Sequence, residues 1–155
     1  IGFYNGIFAS GETVLENLTV SEHANDGVVA TSPGSELQVR DSTFSVNGRD
    51  GINAQSTETR IIVSGSTFRA NQGTGVYLAN GLARDSVFTL HGGEGVRSRF
   101  ADAAGFVSGS HFSRNAIGVN SFSGTGVRNS VFISNTTDFP ASNSMGGNLC
   151  DGVAC

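Results

Sequence analysis

Five phenylalanines, Phe44, Phe68, Phe88, Phe112 and Phe132, recur at intervals of 24, 20, 24 and 20 residues, and Val20 stands 24 before the first. A serine precedes each Phe by two places (Ser42, Ser66, Ser86, Ser110, Ser130). Asn or His follows each by three (Asn47, Asn71, His91, Asn115, Asn135), as His23 follows Val20. Gly with a β-branched residue comes next, from Gly6-Ile7 through Gly27-Val28, Gly51-Ile52, Gly75-Val76 and Gly95-Val96 to Gly118-Val119. One pattern therefore turns six times between residues 6 and 135, and a fixed period of this length means a solenoid.

Apolar residues alternate within each repeat instead of recurring every three or four, which predicts strands. The residue before each serine position is Asn17, Asp41, Gly65, Asp85, Gly109 or Asn129. All are types that tolerate positive φ, so the column reads as a one-residue left-handed bend between two short strands. Leu15, Val39, Val63, Ala83, Val107 and Val127 face inward before the bend, and Val20 and the five phenylalanines after it. A third inward column runs Ile7/Ala9, Val28/Ala30, Ile52/Ala54, Val76/Leu78, Val96/Ser98 and Val119/Ser121. The expected architecture is all-β: a single-stranded right-handed parallel β-helix of about six coils, 20–24 residues and three short strands per coil. Its phenylalanines should stack as a ladder along a rod about 25–30 Å long, at about 4.8 Å per coil. Turn length varies after the Gly-bearing strand, long at Thr31 to Glu36 and short at Ala79-Asn80, as a solenoid allows.

Composition bounds the partners. All nine basic residues are Arg, the net charge is −4 and only 14% of residues are charged, so a nucleic-acid partner has no electrostatic footprint. No apolar run approaches the ~20 residues that span a bilayer, so no membrane insertion is expected. The β-helix is assigned to residues 1–135. Residues 136–155, with Pro140 and a Ser/Asn/Gly stretch, are expected as an irregular tail that caps the last coil. Cys150 and Cys155 are the only cysteines, and a Gly-containing turn between them predicts a local disulfide, which suits a secreted or cell-surface protein. The amino end shows no comparable cap, so a neighbouring domain or a second copy is expected there.

The segments Asp-Ser-Thr-Phe-Ser-Val-Asn-Gly-Arg-Asp-Gly-Ile (41–52) and Asn-Ser-Val-Phe-Ile-Ser-Asn (129–135) resemble the pectin-lyase-like superfamily of right-handed β-helix proteins, its short secreted bacterial members above all. The resemblance covers about 130 of the 155 residues and implies the fold. It leaves activity open among lyases, hydrolases, epimerases, tailspikes and adhesins. It also implies that any active site would lie on the outer face of the Gly-bearing strand, which enzymes of the superfamily turn toward acidic polysaccharide. That face presents Phe8, Val29, Asn53, Tyr77, Arg97 and Asn120, with no carboxylate, and the Asn-Thr-Asp, Asp-Asp, Gly-His-Gly and Arg-Ile-Lys motifs of polygalacturonase-like members do not occur. The nearest imitation of an acidic cluster is the column ahead of the glycines, Asp26, Asp50, Thr74 and Glu94. Asp26 and Asp50 fall on adjacent coils, as Ca²⁺ ligands or an acid and nucleophile would need, or as turn residues bonding the backbone. The recurrent serines read as small fillers beside the bend, and His23 and His91 as turn hydrogen-bonders. No cofactor is expected.

Two surfaces remain for binding. Asn53, Tyr77, Arg97 and Asn120 form an aromatic platform with amide and guanidinium donors, which suits carbohydrate. Ile62, Leu82 and Phe106 face outward on three consecutive coils, either beneath long turns such as Arg99 to Ala104 or as a subunit interface. The sequence thus reads as a secreted, non-catalytic β-helix that binds a polysaccharide or cell-surface glycan. Its alternatives are a polysaccharide lyase or hydrolase using Asp26 and Asp50, and a structural spacer or oligomerisation module.

Overall fold

The computed structural model describes residues 4–98, 105–121, 125–140 and 144–155. Every described strand belongs to one of three sheets, and successive coils add one strand to each. The first sheet stacks Ile7–Ala9, Val28–Ala30, Ile52–Ala54, Val76–Leu78, Glu94–Ser98 and Ile117–Ser121. The second stacks Glu12–Glu16, Glu36–Arg40, Arg60–Ser64, Asn80–Arg84, Gly105–Ser108 and Gly126–Arg128. The third begins at Thr19–Ser21 and runs through Thr43–Ser45, Thr67–Arg69, Val87–Thr89 and His111–Ser113 to Val131–Ile133. All of these pairings are parallel and like columns stay in register, Val20 on Phe44 and Phe44 on Phe68. The chain is a right-handed parallel β-helix.

The core is the set of inward columns anticipated from the alternation. Phe44, Phe68, Phe88, Phe112 and Phe132 are fully buried and stack 4.8–5.0 Å apart with ring planes 6–7° from parallel. Strand spacing dictates that separation, and each buried ring contributes roughly 1.5–3 kcal/mol of burial. The glycine column follows from the same stacking. A Cβ on Gly95 would lie 2.7 Å from the Gly118 carbonyl oxygen and 2.7 Å from Phe112 Cδ1. Only glycine lets the chain pass between the ring and the next coil.

The bends are built from side-chain ladders, because a corner interrupts backbone pairing and leaves buried N–H groups that need acceptors. Asn17, Asp41, Gly65, Asp85, Gly109 and Asn129 all take φ between 47° and 58°. Next to them the serines do more than fill space. Ser66 Oγ accepts the Ser42 N–H and donates to the Ser64 carbonyl, and the arrangement repeats at Ser42, Ser86, Ser110 and Ser130. A second positive-φ column comes two residues after each inward Phe or Val20, at Glu22, Val46, Ala70, Leu90, Arg114 and Ser134. None of these is Gly, Asn or Asp, so no propensity announces it. The cost, ~1–2 kcal/mol per residue, is offset by the adjoining Asn column. Asn71 Oδ1 accepts the Asn47 N–H while its Nδ2 donates to the Phe44 carbonyl.

The described residues after 135 carry little regular structure, yet they add to the stack. Thr137 bridges to Ile117, Ser144 to Val127, and Leu149–Cys150 pairs in parallel with Val131–Ile133, so the tail forms a partial further coil. Phe139 extends the aromatic stack on Phe132, tilted by 39°. Asn148 Oδ1 takes the place of the next serine by accepting the Ser130 N–H. Val153–Ala154 then folds back antiparallel on Leu149–Cys150. The Cys150–Cys155 disulfide closes this hairpin, which is compatible with an oxidising compartment.

Candidate functional site

The acidic column is a third ladder. Asn5 Oδ1 accepts the Asp26 N–H, Asp26 Oδ1 accepts the Asp50 N–H, and Asp50 Oδ1 accepts the Thr74 N–H. Acidic and amide residues recur here because a short side chain ahead of a turn satisfies the backbone of the following coil. Asp26 is only 2% exposed, and its second oxygen accepts from Asn53 Nδ2. Its Oδ1 is engaged by the Asp50 backbone N–H at 3.1 Å. No group of three or more His, Cys, Asp or Glu suited to a metal occurs among the described residues. Asp26 and Asp50 both serve the backbone of the next coil, as the turn reading of this column anticipates.

Beside this ladder runs a groove of about 830 Å³ on the outer face of the first sheet. Asn53, Tyr77 and Arg97, which the strand register puts on one outward column, line its floor together with Asp50, Thr74 and Glu94. Tyr77 differs from the expected open platform. It is 8% exposed, and the Arg97 guanidinium lies 5.6 Å from its ring centroid. The aromatic face is shared with a cation. Val29, also expected on the outer face, is 1% exposed and adds no surface. Asn120 stands outside the groove lining and acts through Glu94, donating from Nδ2 to Glu94 Oε1.

Glu94 is the residue that sequence reasoning underrated, since it appeared only as the fourth member of an interrupted column. Its Oε2 accepts from Thr74 Oγ1, and its Oε1 lies 3.8 Å from Arg97 Nη1. Burial alone would raise its pKa, but the hydrogen bonds from Asn120 and Thr74 and the Arg97 charge outweigh burial and hold it below the ordinary value. Asp50 goes the other way. Burial pushes its carboxyl up, the Thr74 N–H pulls against that, and the negative charges of Asp26 and Glu94 add to the rise while Arg49 opposes it. Arg97 Nε is buried and has no hydrogen-bond partner among the described residues.

The second expected surface also comes together. Ile62, Leu82 and Phe106 are in register and half-buried. Arg128 lies over the Phe106 ring, 4.6 Å from its centroid. Met145, 61% exposed, lies where a Cβ on Gly126 would project, so it extends the strip by one coil. The turn at Arg99 to Ala104 lies outside the described residues.

A family model described as the right-handed beta helix region matches residues 3–90, more than half of the chain. The chain belongs to this family of β-solenoids. No curated protein matches it.

Proposed function

We propose that the chain is a secreted, non-catalytic β-helix module that binds a polysaccharide or cell-surface glycan in the groove over Asn53, Tyr77 and Arg97. The observation that carries this reading is the groove itself. Amide, guanidinium, carboxylate and aromatic groups share one rigid sheet face, the mixture that hydroxyl-rich ligands require. The non-catalytic part rests on Asp26, whose two oxygens are occupied by the Asp50 N–H and the Asn53 amide. The test is retention on a panel of insoluble neutral and acidic polysaccharides, with and without Ca²⁺, scored together with chain shortening. Retention lost in Arg97→Ala and Asn53→Ala supports the reading. Shortening that disappears in Asp50→Asn would replace it with a lyase or hydrolase.

One observation favours a second reading, a structural or oligomerisation module. The half-buried apolar strip Ile62, Leu82 and Phe106 continues into the exposed Met145 across neighbouring coils, and contiguous apolar side chains at a surface commonly mark an interface. Self-association that is abolished by Phe106→Glu, in a protein that retains no polysaccharide, would select it.

A further inference from the structure

We infer that the groove takes a neutral, extended β-linked hexose polymer laid parallel to the solenoid axis, with Phe8 as its outer stacking platform. The inference rests on the groove reading above and names its ligand class and an added contact.

Charge favours a neutral chain over an acidic one. The groove lining carries two cations, Arg49 and Arg97, against two carboxylates, Asp50 and Glu94. The whole protein is net negative at −4. Arg97, the cation in the floor, already faces the Glu94 carboxylate and the Tyr77 ring. A polymer carrying a carboxylate on each ring would compete with Glu94 for Arg97 and run past Asp50, at a cost in like-charge repulsion. A neutral sugar chain meets no such conflict. Its hydroxyls donate to Asp50 and Glu94, and its oxygens accept from the groove-lining Arg49 and Asn53.

Periodicity sets the direction. Phe8, Val29, Asn53, Tyr77 and Arg97 stand on one outward column, each in register with the next. Those register steps carry the column about 19 Å along the axis, at about 4.8 Å per step. A chain laid along this column therefore crosses the coils one after another and passes Asn53, Tyr77 and Arg97 in turn. Phe8 lies at the far end of this column and is 67% exposed, a large apolar ring that the core does not use. Tyr4, in the adjoining turn, is also exposed, and its carbonyl accepts the Asn25 N–H. β-linked hexoses present a flat face of axial C–H groups, the surface an open aromatic ring covers well. Val29 between Phe8 and Asn53 is covered, so Phe8 acts as a separate outer platform for chains long enough to reach it.

The experiment measures affinity of the whole chain for β-1,4- and β-1,3-linked glucose oligomers and for oligogalacturonate, each in a short form and in a form spanning Phe8 to Arg97. Wild type, Phe8→Ala and Arg97→Ala are compared. The expected result is preference for the neutral oligomers, tighter binding of the long form, and a loss of about three- to tenfold in Phe8→Ala for the long form alone. Phe8 is exposed, so its truncation leaves the core intact, and an unchanged thermal midpoint confirms this. Preference for oligogalacturonate would overturn the inference, as would Phe8→Ala binding the long oligomers as tightly as wild type. If Arg97→Ala weakens binding and Phe8→Ala does not, the groove reading stands and the neutral-chain track falls. If wild type binds neither class, both fall.

Discussion

His91 occupies a column that is otherwise asparagine from Asn47 to Asn135, and it fills only part of the role. Its Nδ1 accepts the Asn71 N–H, as an asparagine oxygen would, while its buried Nε2 approaches the Phe68 carbonyl without a well-formed hydrogen bond. Burial is the main cause that drives its pKa down from 6.5 to about 4. The sign follows directly. The unfolded chain takes up a proton near pH 6.5 and the folded one near 4, so between those values unfolding binds protons and stability falls as the pH is lowered. The neutral-imidazole contribution is complete above the unfolded value, and about 2.5 kcal/mol of it is lost on going from about pH 7.5 to about pH 4.5. His91→Asn restores the regular column. The new Oδ1 would receive the Asn71 N–H, and Nδ2 would donate to the Phe68 carbonyl, as Asn115 Nδ2 does to Phe88. Urea unfolding of both proteins at the two pH values is the assay. The shifts of Asp50 and Glu94 are common to both proteins and cancel in the difference. The wild type should lose roughly 2–3 kcal/mol more than His91→Asn over this range. Equal pH dependence in the two proteins would refute the reasoning.

Further predictions concern the stack and its corners. Gly95→Ala should cost about 1–3 kcal/mol in urea unfolding, because its methyl group would press on the Gly118 carbonyl and the Phe112 ring. Phe88→Ala, in the middle of the aromatic stack, should cost about 3–5 kcal/mol, and a loss below about 1 kcal/mol would mean that the rings are not held as described. Val46→Gly should raise the unfolding free energy by about 1 kcal/mol, and with it the urea midpoint, since Val46 is a β-branched residue at φ 57°. An unchanged or lowered midpoint would show that the Val46 side chain contributes more than its backbone costs.

The fold was legible because a solenoid writes each contact several times. Phe44 alone says little, but five phenylalanines with a serine, an asparagine and a glycine at fixed offsets define an inward face, a corner and a close approach. The first bend was readable from Asp41, Gly65 and Asn129, which announce positive φ through their chemistry. The second was not, because Val46, Leu90 and Arg114 are held there by tertiary hydrogen bonds that override local preference. The continuation after residue 135 was hidden for a related reason. Asn148 and Leu149 copy the geometry of Ser130 and Val131 without copying their spacing. At the groove, alternation placed Asn53, Tyr77 and Arg97 on one face. Period alone could not show that Arg97 covers Tyr77, or that Asp26 spends both oxygens on its neighbours. Those facts depend on how side chains of adjacent coils lean.

The three side-chain ladders connect like to like: serine follows serine, asparagine or histidine follows asparagine, and aspartate hands its oxygen to the next turn. A whole coil is therefore an exchangeable part. Removing or duplicating one complete period presents the severed donors of the serine and asparagine ladders with the same kind of acceptor they had before. Such a chain can lengthen or shorten its outer face by genetic duplication without redesigning its interior, and the reach of that face then becomes a matter of copy number.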